Sequence, residues 1–454
     1  MAILPQASLF SWEQLDQLDD LQRLKLVLDA LPDEALMRQL EAQRGRGRDD
    51  YPVRAMWNSV VAGIVFGHGS IESLRRELCR NAPLRQCCGF DLLQGLDAVA
   101  NSWNYTRFLK LLMRHQAQLD AMFDTLVKQL ARHLPDLGEH MAVDGKAIAT
   151  HARSRAKDAP MPPGAEADGR RDTDAVWGVK TQRGVKQDGK PWEKITRWFG
   201  YKLHLVVDSR YELPLAYTVT KASSSEVVQF RDHLLPQLKK DHPQLLKTCQ
   251  TFSADKGYDD TKTITTLYDD HAIHPIIDIR DSWQDGKSTR AVPGVSGVSG
   301  GHVQYDIKGH VECWSQRDGQ RYSMAYGGYE KDRKAHKFRC PARHYGQSCG
   351  SLDRCSIGAG SGQVRVPLTV DRRIFTPTAR PSGTWRKHYN RRTAVERVNS
   401  RIDQSFGFER HFIRGKAKMQ LRVSLALLVM LAMAVGRLAH QQNGAIRSLV
   451  RPAA

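Results

Sequence analysis

Cysteine is scarce in this sequence, with 8 residues in a chain of 454. So few thiols in so long a chain argue against a secreted scaffold held by disulfides, and we expect reduced cysteines. No basic, apolar leader opens the chain, so we expect a cytoplasmic location. The most apolar run, residues 423–435, has about thirteen residues, fewer than the roughly 20 of a membrane helix. We therefore predict a buried helix there and no membrane span.

Acidic residues are also in deficit. Lys plus Arg number 68 against 49 for Asp plus Glu, which gives a net charge of +19. A surplus of this size favours a polyanionic partner, with nucleic acid first among the candidates. The length allows two to four domains, at roughly 150 residues per domain. Neither the net charge nor the length identifies the partner. Only individual motifs can do so.

Strand signals are rare in the first 135 residues, which form the first predicted domain. Apolar residues recur there at spacings of three and four in LDQLDDLQRLKLVLDAL and FLKLLMRHQAQLDAMFDTLVKQL, as in amphipathic helices. Between them, a basic Gly-rich loop precedes a predicted helix at 53–66, a turn at 67–69 and a second helix with Ser70 as N-cap. This unit resembles a helix-turn-helix, and an ordinary helical hairpin with solvated charges is the alternative. The arginines that would meet DNA phosphates are Arg44, Arg46, Arg48, Arg54, Arg75, Arg76 and Arg80.

An α/β pattern begins near His140 and extends to about residue 280. MAVDGKAI, FGYKLHLVVD and ELPLAYTVT predict three strands, two of them near-continuously apolar as buried strands are. A helix at 225–240 follows, and then TFSAD and HPIIDI predict two more strands with a helix at 261–270 between them. This order predicts a mixed α/β sheet over residues 136–280.

Two polar segments interrupt this pattern. Residues 151–197 are rich in Lys and Arg and predict a loop, which either contacts DNA or is a solvated surface insertion. Residues 281–384 are Gly-rich and predict an irregular insertion that contains cysteines. Helical patterns return over 385–440, and 441–454 predicts a frayed tail.

Three acidic residues stand where a carboxylate can be held rigidly. Asp144 and Asp255 each follow a predicted strand, at the edge where open α/β sheets commonly build sites, although a turn or cap role would explain each alone. Glu396 lies on a predicted helix whose polar face is formed by Tyr389, Arg392, Glu396, Asn399 and Asp403. A solvated stripe with an Arg392–Glu396 ion pair is the alternative there, in the less favourable order for such a pair. Three carboxylates of this kind predict a site for two Mg²⁺ ions that cuts DNA.

Other acids compete for the same site. Asp208 ends the second predicted strand and is the first reserve. Asp278 and Asp281 flank the fifth strand and are further candidates. Asp259 and Asp260 are predicted to cap the helix that begins near Thr261.

The segments HMAVDGKAI, WFGYKLHLVVDSRYELPLAYTVTKAS, FSADKGYDD and YNRRTAVERVNSRI resemble the DDE transposases of bacterial insertion sequences. RGRGRDDYPVRAMWNSVVAGIVFGHGSIESLRRELCRNAPLR resembles the helical N-terminal domain found on many of them. The resemblance covers roughly residues 40–435 and is weakest over 281–384. It implies an RNase-H-like core, two Mg²⁺ ions that Mn²⁺ can replace, and double-stranded DNA as partner, both as transposon ends and as target. It also implies a homodimer or larger assembly on DNA, nucleoid-associated in a bacterial cytoplasm.

Residue roles follow from the same resemblance. It implies that Asp144, Asp255 and Glu396 are the catalytic, metal-binding triad. Tyr389 and Arg392 match the Tyr-x-x-Arg-x-x-x-Glu signature and are expected to contact DNA. Many such enzymes have Lys or Arg seven positions after the Glu, where this chain has Asp403. Arg401 or Arg397 is the expected substitute.

The function that the resemblance implies is a transposase. It would bind the terminal inverted repeats of its insertion sequence and catalyse Mg²⁺-dependent DNA cleavage and strand transfer. One alternative is a sequence-specific DNA-binding regulator without catalysis. Another is an RNase-H-like nuclease that cuts without transposing.

Four of the eight cysteines lie close together in sequence, within the polar insertion. They are Cys313, Cys340, Cys349 and Cys355. Tetrahedral thiolate coordination of a structural Zn²⁺ explains this cluster, with His336 or His344 able to replace one cysteine. Their spacing lacks the two-residue knuckles of strong zinc motifs, so unpaired cysteines are the alternative. The other four, Cys79, Cys87, Cys88 and Cys249, are predicted to be buried small residues.

Overall fold

The computed structural model describes residues 11, 19–45, 50–154, 171–185, 188–294, 302–315, 317–353 and 355–449. Arg46 and Arg48 of the basic loop lie outside the described residues, as does the Pro-rich part of the predicted loop at 155–170.

The described part of the N-terminal region is helical, as its periodicity predicts. Its helices are α1 Asp19–Ala30, α2 Glu34–Arg44, α3 Val53–Val65, α4 Ile71–Arg80, α5 Ala82–Cys88, α6 Ser102–Arg114 and α7 Gln116–His133. The predicted pair at α3 and α4 is confirmed. Ser70 caps α4, because its hydroxyl accepts the Ser73 N–H at 3.1 Å and the Ser73 hydroxyl closes a capping box.

Helix α3 is buried along its whole length, including the basic residue Arg54. The Arg54 guanidinium forms an ion pair with Asp33 at 2.7 Å, and Asp33 also accepts the Trp57 indole N–H. A charge inside the protein needs such a partner, because burial removes its hydration. Arg54 therefore stabilises the fold and does not face DNA, contrary to the prediction.

The central sheet has six strands in a mixed arrangement. They are β1 His140–Ala149, β2 Val176–Val185, β3 Pro191–Asp208, β4 Pro214–Lys221, β5 Thr251–Ala254 and β6 His274–Ile277. The order is β2-β3-β1-β5-β6, and β4 pairs with β3. Strands β1 and β3 are antiparallel, whereas β5 runs parallel to β1 and to β6. The five strands predicted from the sequence are confirmed, and β2 was missed.

Short helices connect the later strands of this sheet. They are α8 Glu226–Gln229, α9 Leu235–Asp241, α10 Pro243–Thr248 and α11 Thr261–Thr265. A wider π-helical turn joins α8 to α9 and another extends α11 to Asp270, so the two predicted helices are present.

Strand β2 and the first half of β3 form a ribbon where a loop was predicted. Their pairing runs from Val176 opposite Gly200 to Val185 opposite Pro191. Most described side chains of the ribbon are exposed, including Trp177 and Ile195. The strands escaped prediction because neither face is buried, so no apolar alternation marks them.

The insertion at 281–384 has more regular structure than its composition indicates. Its first sheet, antiparallel, contains β7 Thr289–Ala291, β8 Val303–Asp306, β9 Val311–Trp314 and β10 Arg321–Ser323. Its second contains β11 Ala325–Glu330, β12 Ala335–Arg339 and β13 Gln363–Pro367, with helices α12 Pro341–Tyr345 and α13 Ser356–Ala359 between the last two strands. A small hydrophobic core of its own includes Tyr305, Phe338 and Phe375.

Three helices follow the insertion: α14 Gly383–Asn390, α15 Thr393–Ser405 and α16 Lys416–Ala439. Helix α16 is long and apolar enough to cross a membrane, but 83% of its apolar window is buried inside the fold. It packs against α1, α3, α7 and β4. The predicted buried helix is thus confirmed, and it is longer than the apolar run.

One hydrophobic core joins the N-terminal helices to the central sheet. It extends from Leu21 through the sheet to Leu449. A polar link crosses the same boundary, because the Gln116 amide and the Tyr217 hydroxyl both donate to the Ser424 hydroxyl, at 2.8 and 2.9 Å. The helical region is therefore packed onto the sheet through α16.

Candidate active site

Asp144 and Asp255 lie level with each other on neighbouring strands. Strands β1 and β5 pair in parallel, with His140 opposite Thr251 and Ala142 opposite Ser253. Two residues further on, this register places Asp144 opposite Asp255, where adjacent strands are about 4.8 Å apart. Both carboxylates are half-buried. The sheet therefore brings together two acids that are far apart in sequence.

Asp255 also serves as a cap, as the alternative interpretation expected. Its Oδ1 accepts the Gly257 N–H at 2.7 Å and begins the short 3-10 turn Lys256–Tyr258. This bond fixes the orientation of the carboxylate. A carboxylate has about four lone-pair sites, so the cap leaves room for a cation.

A third carboxylate in this place, Glu226, was missed in the sequence. It is the first residue of α8 and lies against the two glycines that follow the aspartates. A Cβ on Gly145 would come within 2.6 Å of Glu226 Oε1, and one on Gly257 within 3.3 Å of Oε2. Lys202 pairs with Glu226 at 3.1 Å. A Glu in the first turn of a helix is common, because the N-terminus favours negative charge, so no local pattern distinguishes Glu226 from an ordinary helix-terminal acid.

Burial and neighbouring negative charge raise the pKa of the Asp144 carboxyl to about 6. Burial is the largest cause, and the negative charges of Asp255 and Glu226 add to it. The positive charge of Lys180 on the ribbon acts in the opposite direction, so Lys180 lies within electrostatic reach of Asp144. Three carboxylates are therefore concentrated here, and a bound cation would reduce the repulsion between them.

Helix α15 presents its polar face to β1. The Asn399 side-chain amide donates to Asp144 Oδ2 at 3.4 Å, and Asp403 forms an ion pair with Lys146. The predicted stripe thus faces the site instead of solvent at these two positions. It is not continuous, because Tyr389 lies on α14 and the helix restarts at Thr393.

Glu396 does not touch the two aspartates. Its side chain is 50% exposed and pairs with Arg392 at 2.8 Å, the ion pair that the alternative interpretation expected. Burial disfavours the charge of Arg392, but Tyr389, Glu396 and Asp144 favour it, and the net pKa is raised. Arg392 therefore lies within electrostatic reach of both Glu396 and Asp144.

Among the described residues, no three His, Cys, Asp or Glu side chains are placed to hold a metal ion. The donor chemistry of the acidic site nevertheless fits a hard divalent cation, because carboxylate oxygens are what Mg²⁺ prefers. The raised pKa of Asp144 fits as well, since burial and the neighbouring charges of Asp255 and Glu226 disfavour its anion when no cation is bound. Binding through Glu396 would require that side chain to leave Arg392.

The reserve acid, Asp208, has a structural role. It lies opposite Met141 in the register, three residues from the level of Asp144, which is about 10 Å along the strand. Its buried carboxylate accepts backbone N–H groups of Gly138 and Arg210 at 2.7 and 2.8 Å. These bonds close the turn after β3, and the register places Asp208 away from the level of Asp144 and Asp255.

The remaining acids also have partners. Asp278 follows β6 at the same sheet edge as Asp255, and its carboxylate accepts the Ile279 N–H at 2.9 Å. Asp281 accepts the N–H of Trp283. Asp260 caps α11, as predicted, through the Thr263 N–H at 2.8 Å. Asp259 does not cap this helix, because it forms an ion pair with Arg373.

The expected substitutes for the missing basic residue, Arg397 and Arg401, both pair with Glu212. The Glu212 carboxylate is only 3% exposed and needs these partners to replace its hydration. A different residue places positive charge beside Asp403. It is Lys146, which belongs to β1.

The predicted DNA-binding arginines of the N-terminal region differ in exposure. Arg75 donates to the Ala100 carbonyl at 2.8 Å and pairs with Glu72 at 3.1 Å. Arg76 is exposed on α4, and Arg44 is half-buried at the end of α2. Arg76 is thus the best placed of the three to meet a phosphate.

Comparisons with known proteins bear on the central domain. A search of curated proteins and a search of solved structures each found no match. A family model described as the transposase DDE domain matches residues 136–432, which is more than half of the chain. The match includes the whole central sheet, the insertion and all three predicted acids. The chain therefore belongs to the DDE transposase family.

Proposed function

We propose that this protein is a DNA transposase that binds the terminal inverted repeats of its own element and catalyses Mg²⁺-dependent strand cleavage and strand transfer. Family membership supports phosphoryl transfer on DNA. The observation that carries the proposal is the level placement of Asp144 and Asp255 on parallel strands, with Glu226 against the neighbouring glycines Gly145 and Gly257. A regulator of transcription would have no use for such a concentration of carboxylates.

In this proposal, Asp144 and Asp255 hold two divalent cations and Glu396 completes the set of ligands. Bound Mg²⁺, or Mn²⁺ in its place, supplies the positive charge that the attacking and leaving oxygens of a phosphodiester require. Glu226 adds negative charge beside the aspartates and raises the affinity of the site for cations. Asn399 holds the Asp144 carboxylate in position through its hydrogen bond.

Arg392 and Tyr389 have a role in binding the scissile strand. Arg392 stacks over the Tyr389 ring at 5.5 Å, and Tyr389 in turn stacks on Trp385 with ring centroids 4.8 Å apart. When Glu396 turns to the cations, the Arg392 guanidinium is released to hold a phosphate with its planar fork. The ion pair between them thus keeps each side chain poised for a separate partner.

The net charge of the chain also supports DNA as the partner. A net +19 favours contact with long stretches of phosphate backbone, and the ribbon adds Lys180 next to the acids. Arg76 and the basic loop that contains Arg44, Arg46 and Arg48 extend this contact to the N-terminal helices. We propose a homodimer or larger assembly on paired transposon ends, in the cytoplasm on the bacterial nucleoid.

The test is cleavage of a duplex that carries the inverted repeats flanking the reading frame. Wild-type protein should cut it with Mg²⁺ or Mn²⁺ and join the ends to a target plasmid. Asp144→Asn, Asp255→Asn and Glu396→Gln should each lower cleavage by about 100-fold or more and leave duplex binding nearly unchanged. Asp281→Asn, which removes an exposed acid outside the site, is the matched control and should cut normally.

The outcomes separate the alternatives. A protein that binds the repeats but never cuts with either cation would be a regulator. Cutting without strand-transfer products would indicate a nuclease of the same fold. Equal loss of binding and cleavage in the three variants would contradict the assigned roles.

A further inference from the structure

Four cysteines and one histidine line a single cavity of about 430 Å³ in the insertion, far in sequence from the acidic site. They are His302, Cys313, Cys340, Cys349 and Cys355. The convergence is not a consequence of sequence proximity alone, because the residues come from separate elements. Two sheets and one loop meet at this place.

The cavity lies where the two small sheets adjoin. Cys313 belongs to β9 of the four-stranded sheet, and Cys340 follows directly after β12 of the three-stranded sheet. Cys349 and Cys355 belong to the loop before α13. A group that bound all four would tie both sheets and the loop together.

The loop is already fixed over the cavity by contacts that involve no cysteine. The hydroxyls of Ser315 and Ser351 are 2.9 Å apart, and the Asp318 carboxylate accepts the Gly350 N–H at 3.0 Å. These bonds hold Cys349 and Cys355 close to the end of β9. The fold therefore brings the thiols close together without a bound metal.

The thiols are close but not oxidised. All eight cysteines lie among the described residues, and none forms a disulfide. All four cysteines of the cluster line the same cavity, which places their sulfurs near one another. A metal ion would bind them as thiolates, the form of cysteine that binds metal.

His302 lies next to the cysteine cluster. It is buried, and its Nε2 lies 3.8 Å from the Cys355 sulfur. Its backbone carbonyl accepts the Trp314 N–H at 2.7 Å, which anchors it next to Cys313. An imidazole N–H at this distance can orient a thiolate in the way that outer partners orient metal ligands.

We propose that Cys313, Cys340, Cys349 and Cys355 bind one structural Zn²⁺ ion, with His302 donating a hydrogen bond to the Cys355 sulfur. Four thiolates are a complete tetrahedral set, so no open position remains for catalysis. Binding requires the thiols to turn towards a common centre from their present positions. His336 does not take part, because its Nε2 is bonded to the Thr376 carbonyl at 2.6 Å.

The insertion gains stability from such an ion. Its strands have three to six residues and its own core is small, so its hydrophobic burial alone stabilises it only weakly. A structural Zn²⁺ binds the folded form more tightly than the unfolded chain, so the difference in binding free energy adds to the stability of the fold.

The first experiment measures metal in the full-length protein. Purified wild-type chain should contain about one zinc per chain by plasma mass spectrometry. Cys349→Ser should lose it, whereas Cys79→Ser, which removes an equally half-buried cysteine outside the cluster, should retain it. Zinc absent from wild-type protein, even after incubation with ZnCl₂, would overturn the proposal.

A second measurement covers the case in which Cys349→Ser fails to fold. Co²⁺ exchanged into wild-type protein should show the charge-transfer and d–d bands of tetrahedral thiolate coordination, and a chelator should lower the melting temperature of the full-length protein. His302→Ala should keep the metal but bind it more weakly. Cobalt bands typical of octahedral oxygen ligands would contradict the thiolate site. These readouts do not depend on DNA cleavage, so they are informative even if the transposase proposal fails.

Discussion

Lys146 of β1 forms an ion pair with Asp403 of helix α15, beside Asp144. The two side chains are only 10% and 26% exposed, so the pair is largely shielded from water. Asp403 stands seven positions after Glu396, where a basic residue is expected from the family resemblance. The helix supplies an acid instead, and Lys146 of the strand places a positive charge beside it.

This arrangement predicts the outcome of a charge swap. Asp403→Lys alone should place two like charges together and Lys146→Asp alone two acids, and each should lower the free energy of unfolding by roughly 3 kcal/mol. The double variant should recover most of the loss. Urea unfolding measures this coupling, and cleavage assays show whether activity recovers with it. A double variant no more stable than the single ones would mean that the pair does not form.

Glu226 is expected to tune cation binding. Glu226→Gln keeps the shape of the side chain but removes its charge next to Asp144 and Asp255. The Mg²⁺ concentration for half-maximal cleavage should rise by about 10- to 100-fold, with less effect at saturating Mg²⁺. The exposed Glu41→Gln on α2 is the control. An unchanged Mg²⁺ dependence would leave Glu226 with a purely structural role as the partner of Lys202.

The ionised Asp144 carboxylate is expected to destabilise the folded protein when no cation is bound. Its pKa of about 6 lies above the ordinary 3.8, so the folded state binds more protons than the unfolded state between these values. Stability from this residue should therefore increase as pH falls through 6. Asp144→Asn should raise the free energy of unfolding at pH 7.5 by roughly 1–2 kcal/mol without Mg²⁺, while cleavage is lost. Scanning calorimetry with and without Mg²⁺ checks this, and a strongly destabilised variant would contradict it.

Buried histidines give the opposite pH dependence. Burial lowers the pKa of His204 to about 3 and that of His336 to about 4, against the ordinary 6.5. The unfolded chain binds more protons below 6.5, so stability is lost as pH falls from 6.5 towards 4. Each residue should contribute roughly 1–2 kcal/mol of this loss between pH 7 and 5. Urea unfolding of His204→Asn should show a smaller pH dependence than wild type, and the exposed His310→Gln should match wild type.

Arg54 and Arg76 should separate folding from DNA binding. Arg54→Met leaves Asp33 buried without its cation and should cost roughly 3 kcal/mol of stability. Arg76→Gln should leave stability unchanged, because the side chain is exposed, but should reduce the salt dependence of DNA binding by about one ion. Thermal unfolding and binding titrations at several salt concentrations distinguish the two. If an Arg54→Met protein were stable but lost DNA affinity, Arg54 would contact DNA, contrary to our assignment.

Local patterns in the sequence were enough for much of the fold. The N-terminal helices, five strands of the central sheet and the Ser70 cap follow from apolar periodicity and capping chemistry, which act within a few residues. The ribbon and the insertion strands did not follow. Their side chains are largely exposed or their strands very short, so no burial pattern was available to indicate them.

The sequence alone also marked Asp144 and Asp255 as acids at strand ends, and it indicated the polar face of α15. Only the tertiary structure decided what these residues meet. The parallel register of β1 and β5 sets the two aspartates level, Glu226 reaches them because two glycines leave room, and Lys146 meets Asp403 because α15 crosses β1. The contact between Lys146 and Asp403 joins residues 257 positions apart. The periodicity of apolar residues predicts which side of a helix or strand is buried. Which element packs against that side depends on the tertiary structure.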